Sequence, residues 1–438
     1  MNIHTALRSG PLLGISLDKD AYIPGDIITG HVFRQFQTIS PDASVSICMF
    51  GRGRTIGVIG NNSQEYRGLF DLCYRPKIIF QGPIHIESSK HKRKWPFTVQ
   101  LPKYVNDSTP LGPVNHMPPS YMLRTKNMAA VIEYVIKAKI TMTVQGHEEV
   151  LEATFPFKVI CVTPESPIAD FRLKQYYYQR AVSSHRLIPG MPDTKVSWKD
   201  KIKHSLHSSK DPTLTFNLFV EVPKVVQLDN LTPISFRLLV APNWEETSDA
   251  IRDVAQDVKL VSVHVSIVTT TTIICHAGLQ IPERTEINLG LDQAIKQRSG
   301  VILIPFTTEG EPIDIGEMIN LRIGQKTGYP QRWTSVQSEF THSFQIYNIR
   351  ISHQLKWSIQ GEVAGERFKA EGISDLLILK PSDDRPESQD VVLEAGERIP
   401  LRQDSSWIRP PAEEQLPSFL DAQRDERIPG GSGSVNHS

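Results

Sequence analysis

The chain has 438 residues, 39% of them apolar and 22% charged, with 48 basic side chains balancing 48 acidic ones. This length and composition suit two or three folded domains, each with a core of its own. A zero formal charge excludes a global field drawing the chain to nucleic acid, and no run reaches the ~18 apolar residues that a membrane-crossing helix needs.

Charge is uneven along the chain. Past Lys380 there are twelve carboxylates, six arginines and no lysine, a net of −6 that leaves +6 on residues 1–380. The four cysteines, Cys48, Cys73, Cys161 and Cys275, are widely spaced with no Cys-x-x-Cys pair, which predicts free thiols in a reducing compartment. The first residues lack the apolar run of a secretory signal, so a cytoplasmic location is expected, and the sequons at Asn61 and Asn106 read as chance matches.

In chain order, Ile15–Arg34 reads as a strand, a Tyr22-Ile23-Pro24-Gly25-Asp26 turn and a second strand. Pro24 presets φ and Gly25 can take the positive φ of a type II turn. Ser44–Phe50 alternates as a strand. Gly51, Gly53, Gly57 and Gly60 follow, but without the Lys-Ser/Thr and helix of a phosphate loop. Residues 61–71 admit a short helix, and strand character returns at Ile78–Pro83. A basic loop spans 88–94. The clearest strand is Val131–Val144, where Ile132, Tyr134, Ile136, Ala138, Ile140, Met142 and Val144 share one face. Residues 150–162 form its partner.

Residues 163–210 carry Pro164, Pro167, Pro189 and Pro192 with many basic side chains, and read as a basic interdomain connector. Further strands are expected at Leu214–Val222, Ile234–Val240, Val258–Ile274, Ile319–Ile323, Phe340–Ile351 and Leu355–Val363. Helical patterns are short, at Trp244–Asp257 and Leu291–Gln297. The Pro-, Glu-, Asp- and Ser-rich stretch 381–438 offers too little apolar surface to offset its chain entropy and is expected to be a disordered acidic tail.

No catalytic signature stands out: there is no G-x-S-x-G, H-E-x-x-H, C-x-x-C, kinase set or dinucleotide fingerprint. His204 and His207 are spaced like metal ligands but sit in a basic linker without acidic partners, so no metal and no cofactor are expected. Two features suit binding. Pro118-Pro119-Ser120-Tyr121 has the Pro-Pro-x-Tyr spelling that docks WW domains through a preformed polyproline helix and a terminal aromatic. Its place just before the long strand makes packing of Tyr121 the stronger reading. Lys90, Lys92, Arg93 and Lys94 are candidates for contact with anionic lipid or phosphate, although a charge run also suits a solvated face.

The opening hairpin, the "Ile79-Phe80-Gln81-Gly82-Pro83" and "Trp95-Pro96-Phe97-Thr98-Val99-Gln100-Leu101-Pro102" stretches, "Met117-Pro118-Pro119-Ser120-Tyr121" and the Tyr134 strand come in a telling order. With the late stretches 340–355 and 361–366, that order resembles the fungal arrestin-like (α-arrestin) family over residues 15–380. The resemblance implies an all-β fold of two immunoglobulin-like β-sandwiches: an arrestin-like N-terminal domain at 12–162, the connector at 163–210, an arrestin-like C-terminal domain at 211–380 and the tail at 381–438. It implies a non-enzymatic adaptor, peripheral at the plasma membrane or endosomes, which links the cytosolic tails of membrane transporters or receptors to the WW domains of a HECT-type ubiquitin ligase. The sequence departs from the family in carrying no full Pro-Pro-x-Tyr in the tail. That absence favours an alternative, a ubiquitin-independent arrestin-fold scaffold in endosomal cargo sorting or signalling. An enzyme on a β-sandwich would instead need a cleft with a perturbed acid–base pair.

Overall fold

A computed structural model describes residues 13–35, 37–59, 64–87, 92–105, 116–190, 211–298, 300–324 and 340–383. Their regular structure is almost entirely β-strand. The first half comprises β1 (Leu13–Leu17), β2 (Ala21–Tyr22), β3 (Ile27–Arg34), β4 (Thr38–Ile59), β5 (Gln64–Ile86), β6 (Arg93–Gln100), β7 (Tyr121–Arg124), β8 (Met128–Val144) and β9 (His147–Val159). They build a three-stranded sheet, β1-β3-β6, and a six-stranded sheet, β2-β9-β8-β4-β5 with β7 added to β8. The period-two faces of the two sheets meet in a shared core that includes Ile28, Val32, Ile47, Met49, Trp95 and Tyr134.

The second half begins with β10 (Lys174–Ser183), β11 (Thr213–Val222), β12 (Val225–Gln227), β13 (Arg237–Pro242), β14 (Val258–Ile274) and β15 (Gln280–Asn288). Helix α1 (Leu291–Gln297), β16 (Leu303–Ile304), β17 (Ile313–Asp314), α2 (Ile315–Met318), β18 (Phe344–Gln345), β19 (Ile349–Val363) and β20 (Glu366–Leu379) follow. A four-stranded sheet, β10-β11-β13-β17, faces a seven-stranded sheet, β12-β20-β19-β14-β15, which β16 and β18 extend. Their core contains Phe216, Phe236, Val263, Trp357 and Ile359.

The two halves repeat one strand order. Small sheet β1-β3-β6 corresponds to β11-β13-β17, and large sheet β2-β9-β8-β4-β5 to β12-β20-β19-β14-β15. In each half a short strand leaves the small sheet and pairs in parallel with the last strand of the large one, Ala21–Tyr22 with Lys158–Val159 and Val225–Gln227 with Leu377–Leu379. Each half also seats a large aromatic of its central strand over a glycine of a neighbouring strand. A Cβ on Gly51 would lie 2.6 Å from the Tyr134 ring, and one on Gly372 would enter the ring of Trp357.

The opening turn forms as expected. Gly25 has φ of +100°, and Ile15 lies opposite Val32 in the β1–β3 pair. The strand just before the turn, however, joins the other sheet. Five expectations are corrected. Residues 64–71, read as helical, continue β5, because Tyr66 and Phe70 face inward while Glu65, Arg67 and Leu69 alternate outward. The connector contains β10, since the Tyr176–Arg180 alternation pairs with β11 between the flanking prolines. At 319–323 there is no strand: Asp314 caps α2 by accepting from the Glu317 N–H, and the chain leaves that helix irregularly. Phe340–Ile351 is broken by a turn in which the Ile346 N–H donates to the Ile349 carbonyl. Of Trp244–Asp257, only Asp249–Ile251 forms a 3₁₀ turn. By contrast, β14 and α1 match their expected bounds. Residues 384–438 and 191–210, the latter with His204 and His207, lie outside the described residues.

Candidate interaction surface

The Pro-Pro-x-Tyr segment is built into the fold. Pro118 and Pro119 are buried, and the Pro118 carbonyl accepts a 2.6 Å hydrogen bond from the fully buried Tyr134 hydroxyl. Ser120 is held on both sides, its N–H donating to the Val159 carbonyl and its Oγ accepting from the Val159 N–H. Tyr121 opens β7 opposite Ile132. Its hydroxyl lies 2.8 Å from Thr271 Oγ1 in the second half, and burial pushes its pKa up. A WW domain needs the proline faces and the tyrosine hydroxyl free, and here both are occupied. The reading of Pro118, Pro119 and Tyr121 as a displayed ligand is therefore not supported by their geometry, and the packing reading is.

The basic candidates divide. Lys90 lies outside the described residues. Alternation along β6 sends Arg93 and Lys94 to opposite faces. Arg93 sits 5.9 Å from the Phe80 ring and Lys92 3.4 Å over the Phe33 ring. Lys94 pairs opposite Phe33. Lys92 and Lys94 thus share the outer face of the small sheet with His31, whose pKa is lowered by burial and then by those two lysines. That face is electropositive.

Three glycines matter here, of which Gly53 and Gly57 were read only within a failed phosphate loop. A Cβ on Gly53 would lie 2.7 Å from Asn348 Oδ1, one on Gly57 would strike the Ile281 side chain, and one on Gly68 would strike Thr55. These are the sites where the β4–β5 hairpin lies against the second half. There Asn348 Nδ2 donates to the Gly53 carbonyl at 2.8 Å and Thr55 Oγ1 donates to the Ile274 carbonyl at 3.2 Å. Phe70 stacks on Tyr347, with ring centroids 5.2 Å apart. Ile273, Cys275, Ile346, Ile349 and Ile351 join the core of the first half. The seam is closed elsewhere by backbone bonds, from the Thr163 N–H to the Pro381 carbonyl and from the Asp383 N–H to the Thr163 carbonyl. A buried, hydrogen-bonded contact of this kind joins the halves as one body rather than as beads on a linker.

All four cysteines are free thiols, and burial raises Cys73 to about 12 and Cys161 to about 11. Among the described residues, no group of three or more His, Cys, Asp or Glu is placed to hold a metal ion. No helix among them is long and apolar enough to cross a membrane. No family model matches the chain. No curated protein matches it either.

Proposed function

We propose that the chain is an arrestin-like adaptor. Two immunoglobulin-like β-sandwiches form one scaffold that holds the cytosolic segment of a membrane transporter or receptor, at the plasma membrane or endosomes. The observation that carries this reading is the repeat: one strand order used twice, with the two copies locked through a core-like seam. It agrees with the two-sandwich plan that the sequence resemblance implies, with β10 extending the second sandwich into the connector. Large sheet faces held rigidly relative to one another suit a scaffold.

The burial of Pro118 and Pro119 supports the ligase-independent form of this function, cargo sorting without direct docking of a HECT-type ligase at residues 118–121. Docking there would require β7 to leave β8 and Tyr121 to leave Thr271. The test titrates the full chain against a panel of transporter and receptor cytosolic tails, and separately against HECT-ligase WW domains. Micromolar binding of at least one tail is expected, together with WW-domain affinity that Tyr121→Ala does not change. Binding of no tail overturns the adaptor reading. WW binding lost in a folded Tyr121→Ala variant restores direct ligase recruitment.

A further inference from the structure

The outer face of the six-stranded sheet is ordinary at one end, where Lys137 pairs with Glu152 and Lys139 and Thr141 face out, but the other end is not built like a solvated one. An antiparallel sheet with one face on a core ordinarily turns polar side chains outward on the other. Here the pairing sets Val135, Phe50 and Tyr74 in one outward row across β8, β4 and β5, and Met122, Val131, Arg54 and Leu69 in another. Leu69, Tyr74, Met122 and the nearby Ile78 are 58%, 48%, 49% and 60% exposed. Val131 and Val135, in the same rows, are buried, and the exposed apolar side chains lie at the ends of those rows, on β5 and β7.

Its polar content is specific. Arg52 and Glu133 lie between the two rows and Arg54 within the second; Arg52 Nε lies 2.6 Å and Arg54 Nε 3.6 Å from the same oxygen of Glu133. Two guanidinium groups share one carboxylate, and all three side chains are largely buried. Asp71 faces Arg52 from β5 and Arg67 is matched by Glu65. With Arg124, four arginines meet three carboxylates, a surplus of one positive charge. Arginine forks in a partly desolvated setting are suited to carboxylates.

We propose that this face docks an extended partner segment that mirrors it, a carboxylate flanked by large apolar side chains. The carboxylate is taken by Arg52 and Arg54, and the apolar groups lie on Leu69, Tyr74 and Met122. The proposal rests on the adaptor reading and names the chemistry of the cargo segment. A second copy of the chain fits less well, because a two-fold contact through this face would set the surplus positive charge of one copy against that of the other.

The test titrates the full chain by fluorescence anisotropy with three short labelled peptides. One alternates Asp with Leu and Phe, one replaces Asp by Lys, and one replaces the apolar residues by Ser. The acidic–apolar peptide is expected to bind at least about tenfold more tightly than the other two. Arg54→Glu, and separately Leu69→Ser with Tyr74→Ser, are expected to weaken it by about tenfold or more with an unchanged melting temperature. Leu69 and Tyr74 are about half exposed, and for Arg54→Glu, which faces Glu133, an unchanged melting temperature is the condition under which the binding is read. Equal binding of the Lys or Ser peptide, no binding of any peptide, or undiminished binding by the variants overturns the site. So does a concentration-dependent dimer, or capture by anionic vesicles, that Leu69→Ser with Tyr74→Ser abolishes. Binding of a transporter tail that survives both variants removes this site and leaves the adaptor reading standing.

Discussion

The large sheets of the two halves occupy the same place in the same strand order, yet they meet solvent differently. On β19 the outward residues are Arg350, Ser352, Gln354, Lys356, Ser358, Gln360 and Glu362, and Lys356 pairs with Glu286 across the sheet. The equivalent face of the first half carries Phe50, Leu69 and Tyr74 at one end, with the buried Val131 and Val135 in the same rows, and Lys137, Lys139 and Thr141 at the other. Both halves have full cores, so the fold does not need an apolar outer face. The second half also exposes Ile373 and Leu377 on β20, so the contrast is between particular strands: the outward side of β19 is polar where β5 and β7 carry exposed Leu69, Tyr74 and Met122.

The comparison breaks most visibly at the inner faces. Trp357→Ala, at 1% exposure beneath the four-stranded sheet, is expected to cost about 3–5 kcal/mol in denaturant unfolding. An equal loss from Tyr74→Ala would show that the outer face of the first half is structural, and would end the contrast.

Acid should act mainly through the second half. Burial holds His353 at about 4, and burial with Lys380 and His353 nearby holds His342 at about 3. The folded state keeps both rings neutral while the unfolded chain takes up protons below about pH 6.5. Stability is therefore complete above that pH and falls as pH drops towards 4, by about 3 kcal/mol for His353. Urea midpoints measured across this range check the slope, which His353→Gln should flatten.

Gly53→Val tests the seam. The added side chain meets Asn348, and a loss of about 1–3 kcal/mol is expected. Calorimetry would show whether the halves still melt in one transition or separate into two. The smallest effect belongs to Leu69→Ser with Tyr74→Ser, expected within about 0.5 kcal/mol of the parent by thermal melting. A larger loss would mean that these side chains hold the sheet together.

Much of the fold was legible because alternation is a local signal. Val258–Ile274 has the bounds read from its sequence, and in the expected Leu355–Val363 strand Leu355, Trp357 and Ile359 alternate with polar neighbours and are buried. Residues 64–71 were misread because Gly68 and the polar start weaken the alternation, and only pairing with β4 restores it. The seam was illegible for a different reason. Gly53 is glycine because of Asn348, a partner 295 positions away, and nothing around Gly53 signals that approach. The repeat was hidden by unequal lengths, since β5 has 23 residues and its counterpart β15 has 9. Tyr121 shows how a short motif misleads: the spelling is complete, but its hydroxyl belongs to Thr271.

The backbone bridge between Thr163 and Ser382 brings together two points that bracket the whole second half. The chain enters and leaves that half side by side, the arrangement of an inserted domain. In engineering terms it is a cassette, able in principle to be exchanged or circularly permuted at one junction. Its removal would expose the first half's side of the seam, where Gly53, Gly57 and Gly68 leave a backbone with no side chains of its own to cover it.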